Sequence, residues 1–202
     1  RRRRLIPRMT PVCLTMSRKW TLISNQRYSK MTITLIGMMG SGKSTIGKRL
    51  ATVLDWEFID LDQYIVEQEG CDIPSIFTKG GESLFREIEH RHLLQILENH
   101  SGGNLVLSLG GGTLTVEESR SAVAANTVCI YLKTSLEELE RRLRGHEGDR
   151  PMLNGNRIAQ LLSEREGVYE KTACHTVLTD GRSIDAIAKR IAGMITSHPL
   201  QG

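Results

Sequence analysis

The amino-acid sequence predicts an α/β fold of three layers, in which helices cover both faces of a five-stranded parallel sheet. From Met31 onward, short aliphatic or β-branched runs alternate with longer helical patterns, which is typical of βαβ units. The chain has 202 residues, 39% hydrophobic and 25% charged, which suffices for one compact domain and excludes a fibrous rod or wholesale disorder. The predicted strands are 32–36, 56–59, 105–109, 127–132 and 176–178.

Each predicted strand is apolar enough to be buried on both faces, as strands of a parallel sheet require. Ser135 is predicted to cap a helix, because Glu138 follows three residues later and completes a capping box. The predicted helices are 43–54, 83–97, 135–144, 158–169 and 184–195.

The first strand runs directly into a glycine-rich phosphate-binding motif. The run GMMGSGKST at 37–45 fits the pattern G-x-x-x-x-G-K-[ST] of a P-loop, with a strand before it and a helix after it. Such a loop turns backbone N–H groups inward around an anion, and the N-terminus of the next helix adds partial positive charge. Lys43 is predicted to reach the β and γ phosphates, and the Ser44 hydroxyl to bind Mg²⁺. The chain is therefore predicted to bind a nucleoside triphosphate.

Two carboxylates, Asp60 and Asp62, follow the second predicted strand and are candidates for the metal side of the site. The third strand carries no acid and ends in the glycines 110–112, so the second strand is the better source of a carboxylate. If the chain stays extended there, both carboxylates point to one face: Asp60 faces the metal and its waters, and Asp62 either accepts a proton from an attacking hydroxyl or fixes the hydroxyls of that substrate. The alternative is that the two residues cap a helix that starts near Gln63.

Accessory residues favour a small-molecule kinase over a switch GTPase, because no Asn-Lys-x-Asp element for guanine follows a late strand. Arg86 lies in the first turns of a helix, where its guanidinium could bind a carboxylate in a bidentate way. The alternative is an exposed arginine paired with Glu82 or Glu89. The glycine-flanked loop 145–151 places Arg150 where it could swing over the phosphates and help to exclude water.

The net charge of +4 is divided unequally along the chain. The first thirty residues hold nine Lys or Arg and no acid, whereas the rest holds 18 basic and 23 acidic residues, a balance of −5. The basic segment could be an added or upstream-translated sequence, an organellar transit peptide, or an arm for nucleic acid. The acidic balance of the remainder gives no reason to expect nucleic-acid or membrane binding by the folded unit.

The four cysteines lie far apart and form neither a disulfide framework nor a zinc motif, which favours a reducing cytoplasm. The longest apolar runs are far shorter than the roughly 18 residues that a membrane helix requires. We expect a cytoplasmic monomer that binds small molecules, with neither a nucleic acid nor a membrane as its partner.

In this order and spacing, the motifs together resemble the shikimate kinase family. The resemblance extends from Met31 to about Ile195. It implies the P-loop fold of nucleoside-monophosphate-kinase-like enzymes, with a domain over 31–197, a substrate-binding region at about 61–90, a lid at about 144–157 and a tail at 198–202. The motifs that carry it are the P-loop, FIDLD at 58–62, GESLFREIE at 81–89, LSLGGGT at 107–113, DRPML at 149–153 and SEREGVYE at 163–170.

The resemblance implies transfer of the γ-phosphoryl group of ATP to the 3-hydroxyl of shikimate, with Mg²⁺ as the cofactor. Lys43, Asp62 and Arg150 would be catalytic, and Ser44 would bind Mg²⁺ directly, with Asp60 near it through water. The residues assigned to ATP are Gly40, Ser41, Gly42, Lys43, Ser44, Thr45, Arg144, Arg150 and Arg182. Those assigned to shikimate are Asp62, Arg86, Gly110, Gly111, Gly112 and Arg165.

The contacts of adenine and the choice between related functions stay open on the sequence alone. The chain lacks the proline that family members often carry after the last strand, and the length of the lid would also allow Arg141 or Arg142 to contact adenine in place of Arg144. A kinase for another small hydroxy acid, such as gluconate, and a catalytically silent nucleotide-binding relative are the alternative functions. The joint presence of Lys43 and Asp62 with three candidate substrate and phosphate arginines disfavours the silent relative.

Overall fold

The computed structural model describes residues 31–101, 103–144 and 155–197, and within these it has five strands and seven α-helices. The basic segment 1–30, most of the predicted lid with Arg150, and the tail 198–202 lie outside the described residues. The elements in chain order are β1 Thr32–Ile36, α1 Lys43–Leu54, β2 Glu57–Asp60, α2 Leu61–Glu69, α3 Ile73–Asn99, β3 Leu105–Ser108, a short 3₁₀ turn Thr113–Thr115, α4 Glu117–Asn126, β4 Val128–Lys133, α5 Leu136–Leu143, α6 Gly155–Thr172, β5 His175–Leu178 and α7 Ile184–Ser197.

The five strands form one parallel sheet in the order β2-β3-β1-β4-β5, which confirms the predicted sheet. The central strand β1 is buried along its whole length and pairs with β3 on one side and β4 on the other. Because all strands run in the same direction, the loops after β1, β2 and β3 leave the sheet at the same edge. The P-loop, Asp60 at the end of β2 and the glycines 110–112 therefore lie at this edge.

Helices cover both faces of the sheet, as the three-layer prediction requires. One face packs against α1 and α7, where Ile33 and Leu35 of β1 meet Ile46 and Ile191. The other face packs against α2 to α6 through a larger apolar cluster that includes Ile36 of the same strand. Alternate residues of β1 thus face opposite sides of the sheet, and the strand is buried on both sides, at Thr32 and Thr34 as well as at its three apolar residues.

The bounds of β1 and α1 are those predicted, but the two edge strands differ from the prediction in their burial. Glu57 of β2 is exposed, and Leu178 of β5 is 55% exposed. The prediction that all five strands are buried on both faces is therefore wrong for the margins of the sheet. The covering helices pack most closely on the central strands, so a strand with a single neighbour keeps part of its surface in water.

Helix α3 is longer than the predicted helix 83–97 and contains a break. Asp72 caps its start by accepting a hydrogen bond from the N–H of Ser75 at 2.9 Å. Gly81, with φ 67° and ψ −164°, interrupts the helix in a left-handed conformation that favours glycine.

Among the described residues, no helix is both long enough and apolar enough to cross a membrane.

Candidate active site

The loop 37–45 between β1 and α1 has the backbone that the glycine pattern predicts. Gly40 and Gly42 have φ values of 81° and 92°, and Gly42 immediately precedes α1. A side chain at Gly37 would place its Cβ 2.7 Å from the carbonyl oxygen of Leu132, so β4 leaves no room for one. The Lys43 ammonium donates to the carbonyl oxygens of Gly37 and Met38, both at 2.9 Å, and so lies across the loop.

Asp60 joins the P-loop to the start of α2. Its Oδ1 accepts from the N–H of Asp62 at 3.2 Å and caps the helix, and its Oδ2 accepts from the Ser44 hydroxyl at 2.5 Å. Because α2 already begins at Leu61, the extended arrangement of Asp60 and Asp62 considered from the sequence is wrong. Asp60 therefore does both things that the sequence left as alternatives: one carboxylate oxygen caps α2, and the other accepts from Ser44.

The glycines 110–112 after β3 lie close to side chains of α2 and α3 and to the backbone of the P-loop. A Cβ added at Gly110 would lie 3.0 Å from Oδ1 of Asp62, and one added at Gly112 would lie 2.2 Å from Nη2 of Arg86. A Cβ at Gly111 would lie 3.4 Å from the backbone nitrogen of Met39 in the P-loop. Asp62 and Arg86 therefore lie together at the glycines, beside the P-loop, and their predicted role toward a substrate stays a prediction.

Arg86 is held by two carboxylates and is only 17% exposed. Its Nη1 lies 2.6 Å from Oε2 of Glu89, and its Nη2 lies 3.1 Å from Oε1 of Glu82. Burial by itself would lower the pKa of Arg86, but the two carboxylates more than offset this and raise the pKa. The alternative considered from the sequence, an exposed arginine paired with Glu82 or Glu89, is therefore wrong about the exposure of Arg86 and right about its partners.

Glu89 is a residue of this site that the sequence reasoning considered only as a surface partner. Its side chain is 1% exposed, and its Oε1 accepts from the Thr113 hydroxyl at 2.6 Å. A Cβ at Gly110 would lie 2.8 Å from the same Oε1. The buried carboxylate thus connects Arg86 to the start of the 3₁₀ turn. Its spacing of three residues from Arg86, on one face of a helix, was the available signal.

Helix α6 supplies the second predicted substrate arginine. Nη1 of Arg165 donates to the carbonyl oxygen of Gly111 at 3.2 Å, and the Tyr169 hydroxyl donates to the same oxygen. Arg86 and Arg165 therefore approach the glycines 110–112 from α3 and α6. Tyr169 was not singled out from the sequence, although it lies one helical turn after Arg165 in the SEREGVYE motif.

The arginines predicted to contact adenine differ in whether they touch the P-loop. Arg142 of α5 donates through Nη1 to the carbonyl oxygens of Gly40 at 3.3 Å and Ser41 at 3.2 Å. Arg144, at the end of α5, and Arg182, after β5, are both exposed. Of the three arginines of α5 considered from the sequence, Arg142 is the one in contact with the nucleotide loop.

Glu138 fixes the orientation of Arg142. Its Oε1 lies 2.7 Å from Nε of Arg142, while Arg141 donates to both carboxylate oxygens. Hydrogen bonds from Arg141 and Arg142 lower the pKa of Glu138 to about 2. The Ser135 hydroxyl accepts from the N–H of Glu138 at 3.3 Å, which confirms the predicted helix cap. The predicted capping box is wrong, because the N–H of Ser135 donates to Asp180 at 3.2 Å while the Glu138 carboxylate binds the two arginines.

Comparison with known proteins identifies relatives over most of the chain. A family model described as shikimate kinase matches residues 39–196. A shikimate kinase of Vibrio parahaemolyticus is 38% identical over 170 residues, which cover 82% of this chain and 96% of the relative. A shikimate kinase of Persephonella marina is 39% identical over 165 residues, which cover 81% of this chain and 98% of the relative.

Solved structures give the same result for the fold. A shikimate kinase from Acinetobacter baumannii in complex with shikimate superimposes with a TM-score of 0.80 and 32% identity, covering 88% of this chain and 99% of that one. A shikimate kinase from Aquifex aeolicus gives a TM-score of 0.70 and 31% identity, covering 85% of this chain and 100% of that one. The P-loop kinase fold predicted from the sequence is therefore confirmed.

Proposed function

This chain belongs to the shikimate kinase family, and from that premise we propose that it transfers the γ-phosphoryl group of ATP to the 3-hydroxyl of shikimate. One observation carries the proposal: a carboxylate, Asp62, and two arginines, Arg86 and Arg165, lie around the glycines 110–112, next to a P-loop. A hydroxy acid needs cations for its carboxylate and a base for its hydroxyl, and both lie next to the phosphate-binding loop.

The phosphates of ATP would lie in the backbone cradle of residues 40–45, at the N-terminus of α1. Lys43 now binds the carbonyl oxygens of Gly37 and Met38, and we expect its ammonium to bind the β and γ phosphates when the nucleotide enters. Arg150, outside the described residues, stays the predicted source of positive charge at the transferring group. Arg144 and Arg182 stay predicted contacts of adenine.

The residues beside the P-loop fit Mg²⁺. The Ser44 hydroxyl and the Asp60 carboxylate are hard oxygen donors only 2.5 Å apart, and this small donor set suits an ion that keeps waters and binds substrate phosphates. Ser44 would bind the ion directly and Asp60 through water. When bound, the ion would neutralise charge on the phosphates.

On the acceptor side, Arg86 and Arg165 would bind the carboxylate of shikimate, with the backbone of the glycines 110–112 against its ring. Asp62 would bind the hydroxyls and take the proton of the 3-hydroxyl as that oxygen bonds to the γ-phosphorus. The bond between this phosphorus and the β–γ bridging oxygen then breaks and ADP leaves. The reaction needs placement and charge stabilisation more than covalent chemistry by the protein.

A coupled assay of ADP release with shikimate, gluconate or no acceptor tests the proposal. We expect rapid turnover with shikimate and only slow turnover with the other two, because two arginines and the glycines 110–112 are matched to one carboxylate on a ring. Equal rates under the three conditions would contradict the proposal. A gluconate kinase would reverse the order of the first two, and a silent relative would give no turnover. The monomeric state and the cytoplasmic location stay predictions.

A further inference from the structure

The glycines 110–112 present their carbonyl oxygens and their N–H groups to different partners. The carbonyl oxygen of Gly110 accepts from the N–H of Thr113 at 3.3 Å, and that of Gly112 accepts from the N–H of Thr115 at 3.0 Å. By contrast, within residues 31–101, 103–144 and 155–197, the N–H groups of Gly111 and Gly112 donate to no backbone carbonyl. The 3₁₀ turn thus fixes two of the three peptide groups and leaves backbone donors facing away from it.

The middle carbonyl, that of Gly111, is fixed by side chains of α6. It accepts from the Tyr169 hydroxyl and from Nη1 of Arg165 at 3.2 Å. Tyr169 is 2% exposed, its ring packs 5.2 Å from that of Tyr131, and its hydroxyl lies 3.8 Å from Sδ of Met38 in the P-loop. This one side chain therefore contacts the central sheet, the nucleotide loop and the glycines.

The planar peptide bond links that carbonyl to the next donor. The C=O of Gly111 and the N–H of Gly112 belong to one rigid unit and point in opposite directions. A group that holds the carbonyl toward α6 therefore holds the N–H toward the opposite side. Arg86 lies against Gly112, since a Cβ at Gly112 would be 2.2 Å from its Nη2.

We propose that Tyr169 is a positioning residue for shikimate: by donating to the Gly111 carbonyl oxygen, it keeps the N–H of Gly112 aimed at the substrate beside Arg86. This inference rests on the proposed function. It also separates two tasks on α6, because Arg165 is needed at the substrate carboxylate and its guanidinium cannot always remain on the Gly111 carbonyl. Tyr169, one turn further along, keeps the peptide group in place while Arg165 binds the substrate.

Two properties suit Tyr169 to this task. Its phenol has a single proton to donate, and the buried ring leaves it no access to water as a competing partner. Burial also raises the pKa of Tyr169 to about 12, although Arg165 acts against this, so the hydroxyl stays protonated at neutral pH. The Tyr169 hydroxyl can therefore keep donating to the Gly111 carbonyl oxygen, whereas Arg165 leaves that oxygen when it binds the substrate.

The test is Tyr169→Phe, with Tyr131→Phe as the matched control. Both changes remove one hydroxyl from the same pair of buried rings, but only the first removes a donor to Gly111. We expect Tyr169→Phe to raise the KM for shikimate about five- to tenfold, the effect of one misplaced hydrogen bond, and to change the KM for ATP by less than about twofold. Tyr131→Phe should leave both constants close to those of the wild type.

Three results would overturn the inference: an unchanged KM for shikimate, an equal rise in the KM for ATP, or the same effect in both variants. Should Tyr169→Phe not fold, Tyr169→Met removes the donor while filling the space with a flexible apolar chain, and the same constants are measured. Failure of both variants to fold would assign Tyr169 to stability and so also contradict the inference. Absence of shikimate-dependent turnover in the wild type would instead contradict the proposed function.

Discussion

The two halves of the proposed active site, one for the nucleotide and one for the acceptor, are built in different ways. The nucleotide half is nine consecutive residues, 37–45, between one strand and one helix. The acceptor half takes Asp62 from α2, Arg86 and Glu89 from α3, the glycines after β3, and two side chains from α6. The glycines differ accordingly: Gly40 and Gly42 adopt positive φ, whereas Gly112, with φ −109°, is needed for space beside Arg86. A local sequence motif thus specifies the first half, and packing between distant elements specifies the second.

A change in the nucleotide half should have the largest effect on turnover. Lys43→Met removes the ammonium that lies across the P-loop, and we expect kcat to fall about 10³-fold because charge on the γ-phosphoryl group is then uncompensated. The control is Lys48→Met, an exposed lysine on the same helix. Steady-state kinetics at saturating ATP and shikimate measure the difference. A loss of less than about tenfold for Lys43→Met would contradict its role.

Asp62→Asn tests the base at the boundary of the two halves. We expect kcat to fall about 10²- to 10³-fold, since the amide cannot take the hydroxyl proton, while the Kd for ATP stays unchanged. Glu67→Gln, an exposed acid on the same helix, is the control and should behave as the wild type. Turnover is measured by coupled assay and ATP binding by calorimetry. Near-normal turnover would remove Asp62 from the role of base.

Arg86→Lys should affect the acceptor half alone. Lysine keeps the charge but loses the planar fork, so the KM for shikimate should rise about 10- to 100-fold with little change in the KM for ATP. Arg91→Lys changes an arginine of the same helix that is 51% exposed and serves as the control. Initial rates over a grid of both substrates separate the two constants. Equal effects on both KM values would show that the two halves are not separable.

Glu138→Gln should give the smallest effect, because it weakens only the hold on Arg142, the arginine that contacts the P-loop. The folded-state pKa of about 2 is below the ordinary 4.5, so the ionised carboxylate stabilises the fold above pH 4.5 and this contribution is lost as the pH falls toward 2. We expect the variant to have a Tm about 1–3 °C below the wild type at pH 7, and the gap to close near pH 2. Glu137→Gln is the exposed control. A gap that persists at pH 2 would contradict this account.

The contrast between the halves also explains what could be predicted from the sequence. The P-loop, β1 and α1 were predicted to the residue because adjacent residues form them and their glycines mark the turns. The short helix α4 was missed because it buries only Ser119 and Val123, which leaves little apolar periodicity to detect.

On the acceptor side, the sequence predicted which residues contribute but not how they are held. Arg86 was a candidate from its place in the first turns of a helix, Arg165 was added by the family resemblance, and the structure brings both to the glycines. The support from Glu89 and Tyr169 depends on contacts across 24 and 58 positions of the chain, which no local pattern encodes. The support that Arg142 gives to the P-loop could not be predicted for the same reason, since its contact with Gly40 joins residues 102 positions apart.

The most direct measurement of the central claim is the identity of the phosphorylated product. With ATP, Mg²⁺ and shikimate, ³¹P NMR coupled to the ring protons should show one phosphate ester, on the 3-hydroxyl, formed in equal amount to the ADP released. This result requires the two halves to place one hydroxyl and one phosphorus together. Release of inorganic phosphate in place of an ester, or an ester on another hydroxyl, would contradict the account.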